Sequence, residues 1–169
     1  MRKAAMTVVL IGAVALLGAC NKSGAGADTS ASSSSPSSPA PAGGPTPEQA
    51  KVILAALPAP YNTGDIENGQ TKFAVCSSCH TLTAGGSDMT GPNLHGVLTR
   101  KGGTETGYSY SDAMKTAAPA WDAPTLDKWI ENPRALIPGT KMSYIGMHDP
   151  KDRIDLVAYL AVATASAPK

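Results

Sequence analysis

Aromatic side chains make up only 5% of this 169-residue chain, with a single phenylalanine. A small domain built from it lacks the large rings that usually fill such cores, so some other apolar mass has to complete the interior. Cysteine is equally sparse, at three, which excludes a disulfide-dense scaffold. No apolar run reaches the ~20 residues that a permanent membrane helix requires. Charge of either sign is in no excess: from Glu48 onward eleven Lys and Arg stand against twelve Asp and Glu, so no nucleic-acid partner is implied. Alternating apolar and polar runs are missing as well, which removes a sheet and leaves an all-α domain.

What is present falls into four stretches. Residues 1–19 read as an export signal, with Arg2 and Lys3 before an apolar segment from Val8 to Leu17. It ends in Leu17-Gly18-Ala19-Cys20, which resembles the bacterial lipoprotein cleavage box, so Cys20 is expected to become a lipidated first residue. Several acyl chains hold a protein on a membrane where one is marginal, each buried methylene adding about 0.8 kcal/mol. Residues 20–47 are mostly Ser, Pro, Ala, Gly and Thr, too poor in apolar surface to offset the entropy of ordering. As a flexible tether they span on the order of 30 Å, more where prolines stiffen them. Residues 48–63 form an extension in which Thr46-Pro47-Glu48 opens a short helix with Val52, Ile53, Ala56 and Leu57 on one face and Pro58 as its stop. Residues 64–169 are the main domain.

Within that domain Asn62-Thr63-Gly64-Asp65 supplies capping residues before Ile66, Gly69, Phe73 and Ala74, a helix-period set that runs into Cys76. Thr81 to about Thr106 has no period and reads as loop. Ser111 to Lys115 and Pro124 to Asn132 read as helices, the second stopped by Pro133, and Asp149-Pro150 begins a last one carrying Ile154, Val157, Ala158 and Ala161.

Cys76-Ser77-Ser78-Cys79-His80 is a C-x-x-C-H run, the pattern of covalent haem attachment. Two thiols one helical turn apart reach the two vinyl groups, and the next histidine presents its imidazole to iron. A thioredoxin-like pair wants a βαβ context, and a zinc site wants a second ligand pair, while the only other cysteine is Cys20. With all three cysteines occupied, none is left for a disulfide. The haem also supplies the apolar mass that the aromatics do not. A histidine alone leaves iron open to gases or peroxide, whereas histidine with methionine gives an electron carrier of raised potential. Met1 and Met6 leave with the signal, so Met89, Met114, Met142 and Met147 compete. Met142 stands out because Pro138-Gly139-Thr140-Lys141 forms a rigid turn before it. His95 and His148 are the alternative second ligands.

Pro138-Gly139-Thr140-Lys141-Met142 and Gly91-Pro92-Asn93-Leu94-His95-Gly96 together resemble class I cytochrome c of the mitochondrial and related bacterial type. So do Gly64-Asp65-Ile66-Glu67, Gly107-Tyr108-Ser109-Tyr110, Glu131-Asn132-Pro133 and Asp155-Leu156-Val157-Ala158-Tyr159-Leu160, in the same order. The resemblance implies three to five helices wrapped around one haem c, with His80 and Met142 as axial ligands. It implies that the Pro92 carbonyl accepts the second imidazole N–H. Arg100, Tyr110 and Trp121 fall where the family buries or neutralises the haem propionates, with Tyr108 and Thr140 nearby and Tyr144 near the exposed haem edge. Gly69, Phe73 and Tyr159 fall where the first and last helices cross. This chain departs from the family in carrying Trp129 where a tyrosine often approaches the methionine sulfur, and Met114 for a buried asparagine. The lysines that ring the haem edge are mostly missing, with Lys72, Lys101, Arg134 and Lys141 as candidates, so steering by charge is expected to be weak.

The expectation is a monomeric, lipid-anchored electron carrier on the periplasmic side of a membrane. It takes one electron at a time from quinol–cytochrome c reductase to a terminal oxidase and is not an enzyme. The alternatives are a small haem enzyme or ligand-binding protein with a labile distal methionine, and a fixed cytochrome subunit of a larger redox enzyme.

Overall fold

A computed structural model describes residues 44–165; the signal, Cys20 and nearly all of the tether lie outside the described residues. Six α-helices occur among them: α1 Pro47–Ala55, α2 Ile66–Phe73, α3 Asp112–Ala117, α4 Ala123–Glu131, α5 Pro133–Leu136 and α6 Pro150–Ala163. Two 3-10 turns, Tyr61–Thr63 and Val97–Thr99, lie between them. No strand is present among the described residues, only an isolated antiparallel bridge between Lys101 and Ala120.

Short polar side chains start the helices by accepting from backbone N–H groups that have no partner within the helix. Thr46 Oγ1 accepts from Gln49 N at 3.3 Å while the Gln49 side chain accepts from Thr46 N at 2.7 Å, a reciprocal cap. Asp65, Ser111, Asp122, Asn132 and Asp149 cap α2 to α6 by accepting from backbone N–H groups of the first turn. Pro133 ends α4 as expected. It also begins α5, since a proline needs no N–H in the first turn and Asn132 caps the new helix. The expected loop over 81–106 is irregular apart from the Val97–Thr99 turn.

The frame of the domain is the crossing of α2 and α6, the most extensive helix pair. Gly69 permits it, because a Cβ there would stand 2.6 Å from the Cβ of Tyr159. Phe73 then packs on Tyr159 with ring centroids 5.8 Å apart. The buried Asp155 carboxylate fastens the crossing. It accepts from Asn68 Nδ2 at 2.6 Å, Asp65 N at 2.9 Å and Lys151 Nζ at 2.5 Å. Burial alone would raise its pKa, but these donors hold it below the usual carboxylate range. Leu156, Val157 and Leu160 face the interior from α6, and Leu126, Trp129 and Ile130 meet them from α4. Helix α1 packs on α6 and on the Tyr61–Thr63 turn, so the extension is docked on the domain. None of the described helices is long and apolar enough to cross a membrane.

Candidate functional site

Helices α2, α4 and α6 and the loops between them enclose a cavity of about 330 Å³. Phe73, Val97, Leu126, Ile130, Leu156 and Leu160 supply apolar walls. Cys76 and Cys79 stand in the lining just after α2, in consecutive turns closed by Cys76 N to Phe73 O at 2.8 Å and His80 N to Cys76 O at 3.0 Å. Both thiols are free of disulfides. Burial pushes the Cys76 thiol up to about 11, with the neighbouring Cys79 adding to the shift. A protonated, half-buried thiol is unlike the low-pKa thiolate of a thioredoxin-type pair.

His80 also lines the cavity, and its Nδ1 lies 2.7 Å from the Pro92 carbonyl. As a donor at Nδ1 the ring leaves Nε2 as the acceptor for a metal. Burial lowers its pKa, partly opposed by the Pro92 bond, so the imidazole is held neutral. Gly91 makes the room, because a Cβ there would sit 2.7 Å from the His80 ring nitrogens.

Of the four candidate methionines, Met114 and Met142 line the cavity and Met89 and Met147 do not; His95 and His148 lie outside the lining too. The Met114 sulfur is turned toward Gly102, where a Cβ would stand 3.1 Å from it. Met142 sits on the turn after Ile137, where Thr140 N bonds Ile137 O at 3.1 Å and Thr140 Oγ1 accepts from Met142 N at 3.2 Å. Tyr108, Tyr110, Trp121, Trp129, Thr140, Tyr144, Pro92 and Arg100 are all in the lining. Trp121 and Trp129 pack with centroids 5.4 Å apart, and Tyr108 meets Tyr110 edge-on at 4.7 Å. The Tyr108 hydroxyl donates to Thr90 O at 2.6 Å.

Sequence reasoning gave no role to Asn93, which is buried and organises the loop that carries Pro92. Its Nδ2 donates to Thr81 Oγ1 at 2.6 Å and Thr83 O at 3.0 Å, and its Oδ1 accepts from His95 N at 2.8 Å. The Arg100 guanidinium donates to Asn93 O and pairs with Glu105. The motif Gly91-Pro92-Asn93 was the available signal, though a side chain's partners cannot be read from it. Lys72 and Lys141, expected at a docking ring, are engaged elsewhere: Lys72 with Asp152 at 2.7 Å and Lys141 with Ser109 O at 2.7 Å.

The donors fit a haem: two thiols free of disulfides beside an oriented imidazole, a thioether, apolar walls and a cation for carboxylates. The cytochrome c family model matches residues 66–163. The chain is 46% identical over 108 residues to cytochrome c of Kluyveromyces lactis, covering 63% of this chain and 98% of that protein. It is 43% identical over 101 residues to cytochrome c2 of Rhodomicrobium vannielii, covering 60% of this chain and 81% of that protein. The solved structure of cytochrome cH from Methylobacterium extorquens aligns with a TM-score of 0.54 at 40% identity, covering 57% of this chain and 97% of that one. Fold and site together define an all-α haem electron carrier with one covalently attached haem c, not an enzyme. The chain belongs to the cytochrome c family, in its class I fold.

Proposed function

We propose that Cys76 and Cys79 hold the haem through two thioethers, that His80 and Met142 are its axial ligands, and that the protein shuttles single electrons from quinol–cytochrome c reductase to a terminal oxidase. The observation that carries this reading is one cavity lined by both thiols, an imidazole aimed by Pro92, and Met142 on a braced turn. The haem supplies one-electron cycling of iron between ferrous and ferric states. The chain's own residues do the rest. Pro92 and Gly91 fix the His80 ring, the α4 and α6 side chains exclude water, and Arg100, Tyr110 and Trp121 form the environment of the haem carboxylates.

Partner docking by apolar contact is favoured over docking by charge. Val75 lines the cavity, Met89 and Ile145 adjoin its lining residues Thr90 and Tyr144, and all three are exposed, Ile145 at 82%. With few lysines at the haem edge and Lys72 paired with Asp152, steering by charge is weak, and a tether that keeps the carrier near its partners raises their effective concentration instead. That tether is residues 20–47, ending in lipidated Cys20 on the periplasmic side of a membrane, after removal of residues 1–19; the extension 48–63 and the domain 64–169 follow.

Two measurements test the reading. The oxidised protein should show the weak far-red band of sulfur-ligated haem, and the reduced protein should ignore carbon monoxide. Carbon monoxide binding by the wild type would mean an open iron and defeat the carrier assignment. For the anchor, a Cys20→Ser chain should move from the membrane fraction to the soluble fraction, and unchanged partition would remove the lipid from the account.

A further inference from the structure

The extension does more than join a tether to the domain. Its Tyr61 lies outside the region that the family model matches, residues 66–163, yet its ring is buried at 6% exposure. The Tyr61 hydroxyl donates to Asp127 Oδ2 on α4 at 2.8 Å. The other oxygen of Asp127 accepts from Arg153 Nε on α6. Arg153, itself buried, turns its Nη1 to the carbonyls of Met147 at 3.0 Å and His148 at 2.9 Å, and its Nη2 stands 3.6 Å from Glu131. Those carbonyls close the segment that begins at Met142. Met147 N adds a bond to Ile130 O at 2.9 Å, and Gly146, at φ 114°, lies against the Glu131 backbone where no side chain would fit.

We propose that Tyr61 is a positioning residue for the iron ligand: through Asp127 and Arg153 it clasps the far end of the Met142 segment and holds Met142 in place. This rests on Met142 being the sixth ligand. The segment has two anchors. The turn at Pro138–Thr140 holds the near end, and the Arg153 carbonyl bonds, together with the Met147 N to Ile130 O bond, hold the far one. Without the Tyr61 hydroxyl, Asp127 loses a neutral donor and is no longer fixed from the extension side, so the Arg153 guanidinium that grips the segment is less constrained. States with Met142 displaced then become more populated, and a competing ligand binds in proportion to that population.

The test is an imidazole titration of the full-length ferric holoprotein, followed at the far-red band, beside a urea unfolding curve. Tyr61→Phe keeps the buried ring and removes one hydroxyl. It should tighten imidazole binding about fivefold, part of the worth of a hydrogen bond to a carboxylate. Val52→Ser, on the exposed face of α1, should leave that affinity unchanged. Imidazole affinity equal to wild type in Tyr61→Phe, with a lowered urea midpoint, would overturn the clasp and leave Tyr61 a packing residue. A wild type with no far-red band, or a Met142→Ala chain that keeps it, would overturn the ligand assignment and the clasp together.

Discussion

Replacing Met142 with alanine should abolish the far-red band of the oxidised protein and convert the reduced protein from one that ignores carbon monoxide to one that binds it stoichiometrically. Under the proposed ligation the Met142 thioether would fill the second axial position, and His/Met ligation is what raises the potential of a c-type haem. The potential should therefore fall in the same variant. Met114→Leu is the matched control, because Met114 shares the lining but aims its sulfur at Gly102; its band should persist. A band that survives Met142→Ala and vanishes in Met114→Leu would exchange the two roles. Optical spectra and a redox titration of the three proteins decide it.

The double substitution Cys76→Ser with Cys79→Ser should have the largest effect on the polypeptide. Its haem should part from the chain under denaturing electrophoresis, where wild-type haem stays attached. After extraction of that haem, the far-UV helical signal should collapse. The size of the cavity sets this expectation: at about 24 cal/mol per Å³, ~330 Å³ of unfilled lining corresponds to at most roughly 8 kcal/mol. That is an upper bound, since the site is open on one side and the walls can partly close. Even half of it consumes much of the 5–15 kcal/mol by which ordinary domains are stable. Haem that remained with the double variant through denaturation would place the attachment elsewhere.

How much of this was legible beforehand depends on distance along the chain. Several helix starts were readable because caps act over two or three residues: Thr46, Asp65, Ser111 and Asp149 all accept from backbone N–H groups just downstream, whereas Asp122, which caps α4, was not picked out. The C-x-x-C-H run was readable because its chemistry is compressed into five residues. Helix α5 was missed because a proline read as a stop also suits a first turn. The network of Tyr61, Asp127 and Arg153 was invisible, since its members are 66 and 26 residues apart and only packing brings them together. Lys72 and Lys141 show the complementary failure. A lysine's position in the sequence marks it as a candidate for docking, but whether Asp152 or a Ser109 carbonyl already holds it is a property of the tertiary structure.

The sparse aromatic content and the cavity meet in the life of the molecule in the cell. If the haem-free chain loses its helical signal as expected, the protein has two populations: loaded molecules that are folded, and unloaded ones that would open and expose Leu126, Trp129, Ile130 and Leu156, all buried in the folded domain. Housekeeping proteases degrade what is open, and steady-state abundance follows the folded fraction. On that outcome the unfinished core would act as a proofreading device, in which the amount of protein that survives counts the haem that was delivered to it.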